Sequence, residues 1–282
     1  MSRAVDERPG GALRPSATSG AERIAQAFAG ARESGRSAAL MPYAMGGFPD
    51  LATSHAIGAA YADAGADLVE LGVPFSDPLA DGPVVHAAGT QALSAGATFL
   101  GVLEVARELA PRVPVVLMCY ANLLYARGVE AFADALSRAD LSGVIVPDLP
   151  LEEAPAVLEA CDARGLALVP LVAPTTPEER LRRIGAVARG FLYTVSVAGT
   201  TGERAGPTEG LAAVLARAAA HTEVPLAVGF GISTPEHAAA AARAGADGVI
   251  VGSRLVRAAG EAADPPAAVA EVLAAMADAL VL

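Results

Sequence analysis

The stretch Ala62-Asp63-Ala64-Gly65-Ala66-Asp67-Leu68-Val69-Glu70-Leu71-Gly72-Val73-Pro74-Phe75-Ser76-Asp77-Pro78-Leu79-Ala80-Asp81-Gly82-Pro83 passes from a helix end, through a turn and an apolar run, into a proline-rich loop. Its first six residues reappear almost unchanged as Ala242-Arg243-Ala244-Gly245-Ala246-Asp247, again just before an apolar run, Gly248 to Val251. A helix that ends on a glycine and leads into a short run apolar on both faces is half of a βαβ unit, and recurring units of that kind imply a parallel sheet. Working outward, candidate strands are Ala38 to Met45, Asp67 to Leu71, Val113 to Tyr120, Gly143 to Val146, Ala167 to Val172, Phe191 to Val195, Leu226 to Gly229 and Gly248 to Val251. Segments rich in Ala, Leu, Arg and Glu separate them, with Thr98 and Thr234-Pro235 placed to open helices and Gly165 and Gly245 placed to close them. Eight strands alternating with helices over 282 residues predict a single (β/α)8 TIM barrel, with a doubly wound sheet as the competing architecture. Residues 21–282 form the expected barrel domain. It starts with an extra amphipathic helix carrying Ile24, Phe28 and Ala31, and residues 1–20, rich in Gly, Pro, Ser and Arg, read as a disordered extension.

Composition narrows the chemistry. Hydrophobic residues make up 53% of the chain and aromatics 4%, with no Trp, so the core must be built from Ala, Val, Leu and Ile. A formal net charge of -11 with scattered charges argues against binding to nucleic acid or to anionic membrane surfaces. All 20 basic residues are Arg. Without a lysine there is no Schiff base, no covalent pyridoxal phosphate and no Walker lysine. Cys119 and Cys161 sit in apolar or helical contexts and read as buried thiols of a cytoplasmic protein. No apolar run approaches the ~18 residues of a membrane span, and the N-terminus lacks the apolar region of a signal peptide. His55, His86, His221 and His237 fall on helices or their edges without metal-ligand spacing, so no metal is expected.

In a barrel the chemistry gathers at the C-terminal ends of the strands, and Tyr43, Glu70, Tyr120, Asp148, Tyr193, Gly229 and Gly252 all fall there. Glu70 interrupts a run that should be buried on both faces, which is costly unless the carboxylate has a partner or a chemical task. A salt bridge to an Arg would be a purely structural account of it. The loop that follows holds three prolines and two glycines, so Asp77 and Asp81 are presented in few positions, and two carboxylates in unlike settings suggest acid/base work. Gly229-Phe230-Gly231-Ile232-Ser233 and Val251-Gly252-Ser253 follow the seventh and eighth candidate strands, the usual phosphate seat of such barrels.

Glu70 to Pro83 resembles, almost residue for residue, the signature of the tryptophan synthase α subunit family. The likeness continues through Tyr120-Ala121-Asn122, Val146 to Pro150, Leu171 to Thr176, Gly229 to Ser233 and Gly252-Ser253. The resemblance implies a carbon-carbon lyase that cleaves indole-3-glycerol phosphate to indole and glyceraldehyde 3-phosphate by a retro-aldol reaction. It implies Glu70 as the residue that moves protons and Asp81 as the group that holds the indole N–H. Tyr43, Tyr120, Tyr193 and Thr201 match substrate-site positions, with Thr201 on a loop that closes over substrate. Gly202, Gly231, Gly252 and Ser253 match phosphate contacts, and Pro74 and Asp77 match the contact with a β subunit. The family works as an α2β2 heterotetramer whose β subunit carries pyridoxal phosphate, so no cofactor is expected in this chain. Val197, where many members carry Arg, departs from the pattern. Two alternatives stay open: a stand-alone lyase that releases free indole, and a silent subunit that only activates a β partner.

Overall fold

A computed structural model describes residues 18–195, 210–229 and 231–282. Its strands are β1 (Ala39–Met45), β2 (Val69–Gly72), β3 (Val115–Met118), β4 (Gly143–Ile145), β5 (Ala167–Val169), β6 (Leu171–Val172), β7 (Leu192–Val195), β8 (Leu226–Gly229) and β9 (Gly248–Val251). They form one parallel sheet in the order β5, β4, β3, β2, β1, β9, β8, β7, β6. The two outermost segments in that order are consecutive in the chain. They are one strand interrupted at Pro170, which has no N–H for the ladder, while the Pro170 carbonyl still accepts from the Tyr193 N–H at 3.0 Å. Nine segments therefore make eight strands and a closed (β/α)8 barrel. All eight expected strands are present, and the split of the fifth is the difference from the sequence reading.

The helices are α1 (Gly20–Glu33), α2 (Leu51–Asp63), α3 (Pro83–Ser94), α4 (Phe99–Leu109), α5 (Ala121–Tyr125), α6 (Val129–Arg138), α7 (Ala154–Asp162), α8 (Glu178–Val187), α9 (Leu211–Ala219), α10 (Pro235–Arg243), α11 (Ser253–Glu261) and α12 (Pro265–Asp278). α1 opens on a capping box between Ser19 and Glu22 and buries Ile24, Phe28 and Ala31 against the barrel interior. Phe28 meets Phe191 at 6.0 Å between ring centroids, and the bare Gly248 leaves room for the Phe28 ring and Met41. This helix plugs one end of the barrel and leaves the chemistry to the other. Residues 1–17 lie outside the described residues.

The repeated hexapeptide does the same work at both of its sites. Gly65 and Gly245 take left-handed backbone angles, φ +82° and +102°, that turn the chain out of α2 and α10. Asp67 then clasps the start of β1: its N–H donates to the Leu40 carbonyl at 3.0 Å and its carboxylate accepts from the Leu40 N–H at 2.7 Å. Asp247 clasps Leu226 of β8 in the same two-handed way, both bonds 2.8 Å. Arg36 and Arg32 neutralise the two aspartates.

Candidate active site

Parallel register places Tyr43 of β1 beside Glu70 of β2, and Met45 beside Gly72. In a strand successive side chains alternate, so Glu70 and Gly72 face the same way, one level apart. The Tyr43 hydroxyl rises into the space that a side chain at Gly72 would take: a Cβ there would lie 2.1 Å from it. Tyr193 of β7 stands in the same relation to Gly229 of β8, again at 2.1 Å. Two glycines thus accommodate two tyrosines near Glu70, a pairing that single-residue reading missed because it depends on register. Gly72→Ala is expected to cost about 1–3 kcal/mol through overpacking. In the double variant with Tyr43→Phe part of that loss should return, giving a coupling energy measurable by urea denaturation.

Glu70 is 1% exposed, and neither carboxylate oxygen has a hydrogen-bond partner among the described residues. The salt bridge that would have made it structural is not among those formed by the described residues. Burial first, and then the negative charge of Asp81, push its pKa up to about 8. At neutral pH this carboxyl is therefore mostly protonated, a proton donor held in an apolar wall. The same burial, with the charge of Glu70 among the further causes, holds the phenols of Tyr43 and Tyr193 far above their usual range.

Asp81 is only half-buried and is anchored. The Tyr120 hydroxyl donates to its Oδ1 at 2.8 Å and accepts from the Ala80 N–H at 3.0 Å, so one side chain fixes two successive loop residues. The Tyr120 ring stacks on Phe75 at 5.3 Å, tying both ends of the loop to the N-cap residue of α5. Burial raises the Asp81 pKa, and the Tyr120 bond and His86 act against that rise. Asp148, in the turn three residues beyond β4, accepts from the Ala121 N–H at 2.8 Å and so steadies α5 directly after Tyr120. Tyr120 enters the sequence reading as a substrate contact. The structure uses its hydroxyl to position Asp81.

Across the barrel mouth, β8 and β9 lead to α10 and α11. The Thr234 side chain caps α10 by accepting from the His237 N–H, whereas α11 has no side-chain cap at Gly252. The amides of Ser253 and Arg254 open α11 with no acceptor of their own in the helix, an arrangement that receives an anion. Gly231, two residues after β8, takes a left-handed φ of +81°. Thr201, Gly202 and Val197 lie outside the described residues. Pro74 is buried under its loop, while Asp77 and Leu79 stand exposed, Leu79 by 79%. Among the described residues no three His, Cys, Asp or Glu side chains converge as metal ligands. His55, His221 and His237 are engaged by Glu108, Glu178 and Ser233. Cys119 and Cys161 are buried free thiols, and no helix among the described residues is long and apolar enough to cross a membrane.

The family described as the tryptophan synthase alpha chain matches residues 28–280 of this sequence. The chain belongs to the tryptophan synthase α chain family. The tryptophan synthase alpha chain of Prochlorococcus marinus is 48% identical over 221 residues, covering 78% of this chain and 80% of its own. That of Gloeobacter violaceus is 48% identical over 237 residues, covering 83% and 86%. Among solved structures, a chain of Mycobacterium tuberculosis tryptophan synthase superposes with a TM-score of 0.86 at 35% identity, covering 92% of this chain and 98% of that one. A chain of the α2β2 tryptophan synthase complex of Pyrococcus furiosus gives 0.79 at 35% identity, covering 84% and 97%. Membership of the tryptophan synthase α family gives the barrel mouth described above its chemical context.

Proposed function

We propose that this chain is the lyase subunit of a tryptophan synthase, cleaving indole-3-glycerol phosphate to indole and glyceraldehyde 3-phosphate. The observation that carries the reading is the buried carboxyl of Glu70, without a hydrogen-bond partner among the described residues and with its pKa near 8, close enough to Asp81 for the charge of one to shift the other. Glu70 gives its proton to C3 of the indole ring, and the ring becomes cationic. Asp81 accepts the indole N–H and stabilises that charge. The Glu70 carboxylate then takes the proton of the glycerol hydroxyl next to C3. The C–C bond breaks with its electrons returning to the ring, the hydroxyl carbon becomes the aldehyde, and Glu70 is protonated again. One group both gives and takes, so neither an imine nor a metal is needed. The amides opening α11 hold the phosphate, with Gly231 and Gly252 leaving room for it, and the family resemblance assigns Gly202 to the same phosphate and Thr201 to the substrate.

A β subunit carrying pyridoxal phosphate completes the enzyme, in a cytoplasmic α2β2 assembly. This chain has no lysine with which to bind that cofactor covalently. The contact falls on the loops after β2 and β3, where Asp77, Leu79 and Tyr125 stand exposed above the buried Pro74. The test is indole release from indole-3-glycerol phosphate with and without a β subunit. Release that rises on adding the β subunit supports the reading, full release alone would indicate a stand-alone lyase, and no release in either case would indicate a silent subunit. The phosphate seat has its own test in Ser253→Asp. A carboxylate at the first turn of α11 should stabilise the helix by about 0.3–1 kcal/mol and yet repel the phosphate, so KM should rise while the melting temperature holds or increases.

A further inference from the structure

We propose that the space between α7 and α8 is a binding site for a small neutral aromatic molecule, separate from the catalytic mouth. α7 packs on α6 and α8 on α9, and the gap left between α7 and α8 is a cavity of about 130 Å³. Most of its wall is apolar, with Leu158 from α7, Leu168 from β5, and Ile184 and Val187 from α8. Arginine–carboxylate pairs bridge the gap at both ends. Arg180 of α8 forks onto Glu152, just before α7, with two bonds of 3.0 Å, and Arg189 reaches Asp162, the last residue of α7, at 3.2 and 3.3 Å. The two helices are therefore joined at their ends by charged pairs and face a hollow between them, whereas protein interiors ordinarily fill such space.

The chemistry of the wall selects the occupant. Pro147, Pro150 and Pro170 line the cavity and contribute no N–H, and the Arg180 guanidinium that borders it is already engaged with Glu152. A charged ligand would lose its water without a free counter-charge in the wall to replace it. An apolar ring gains by burial, and apolar cavities of about 150 Å³ accept benzene. The turn that closes the cavity also carries Asp148, so an occupant would sit directly behind the residue that steadies α5 next to Tyr120.

Benzene is the probe. Titrated into the full-length chain with methyl-labelled Leu, Ile and Val, it should shift the methyl resonances of Leu158, Leu168, Ile184 and Val187 saturably and raise the melting temperature. Ala154→Leu and Leu158→Phe, which fill the cavity from α7, should abolish both effects and leave indole release unchanged. Two variants guard against one failing to fold. Absence of these shifts in the wild type, or shifts of the same size in the filled variants, would overturn the proposal.

Discussion

Glu70→Gln is expected to lower the turnover of indole-3-glycerol phosphate by about 10²- to 10⁴-fold, the range of a positioned acid/base group, while making the protein more stable at neutral and alkaline pH. The second effect separates a proton carrier from a structural residue. In the folded chain the Glu70 carboxyl titrates near 8, and its ordinary value is 4.5. Between those two values the unfolded chain has released the proton and the folded chain still holds it. Stability of the wild type therefore falls as pH rises through this window, by up to about 1.4 kcal/mol per unit from this one group. Glutamine has nearly the same shape and does not titrate, so the variant should lack this slope. Urea unfolding at several pH values reads the difference. A structural glutamate would show the opposite, a loss of stability on substitution with no particular loss of turnover.

Asp81→Asn should reduce turnover by about 10²- to 10³-fold, the range found for removing one electrostatic stabiliser of a transition state. The fold should hardly notice. The Tyr120 hydroxyl can donate to an amide oxygen as it does to the Asp81 carboxylate, so the loop keeps its anchor. What is lost is the negative charge facing the cationic ring. Because that charge also helps to raise the Glu70 pKa, its removal should move the Glu70 titration to lower pH, with burial still holding it above 4.5. Tyr120→Phe is the companion experiment. It keeps the charge and releases the loop, so its cost should be smaller, about 10- to 100-fold, matching one hydrogen bond to a charged group.

The barrel was legible because its strands are short apolar runs buried on both faces, each bracketed by Ala- and Leu-rich helices, and because the hexapeptide ending at Asp67 and Asp247 repeats a turn with a fixed outcome. Glu70 was legible as a charge in an apolar run. Its pairing with Tyr43, and the fit of two tyrosines over Gly72 and Gly229, were not, since both follow from strand register across the barrel wall. Only Gly72, two residues beyond Glu70 and so on the same face, hinted at the need for space. The anchoring of Asp81 by Tyr120 joins residues 39 positions apart and leaves no local trace. The break at Pro170 was readable in principle, because proline cannot donate to a ladder.

The central claim is that the buried carboxyl of Glu70 carries the proton that cleaves the substrate. The most direct test is kcat/KM for indole release measured from about pH 6 to about pH 10 in the wild type and in Glu70→Gln. The wild-type rate should fall as pH rises through about 8, where the carboxyl loses its proton, and the residual rate of the variant should show no such limb. A variant that keeps near-normal turnover, or one that keeps the same alkaline limb, would contradict the account.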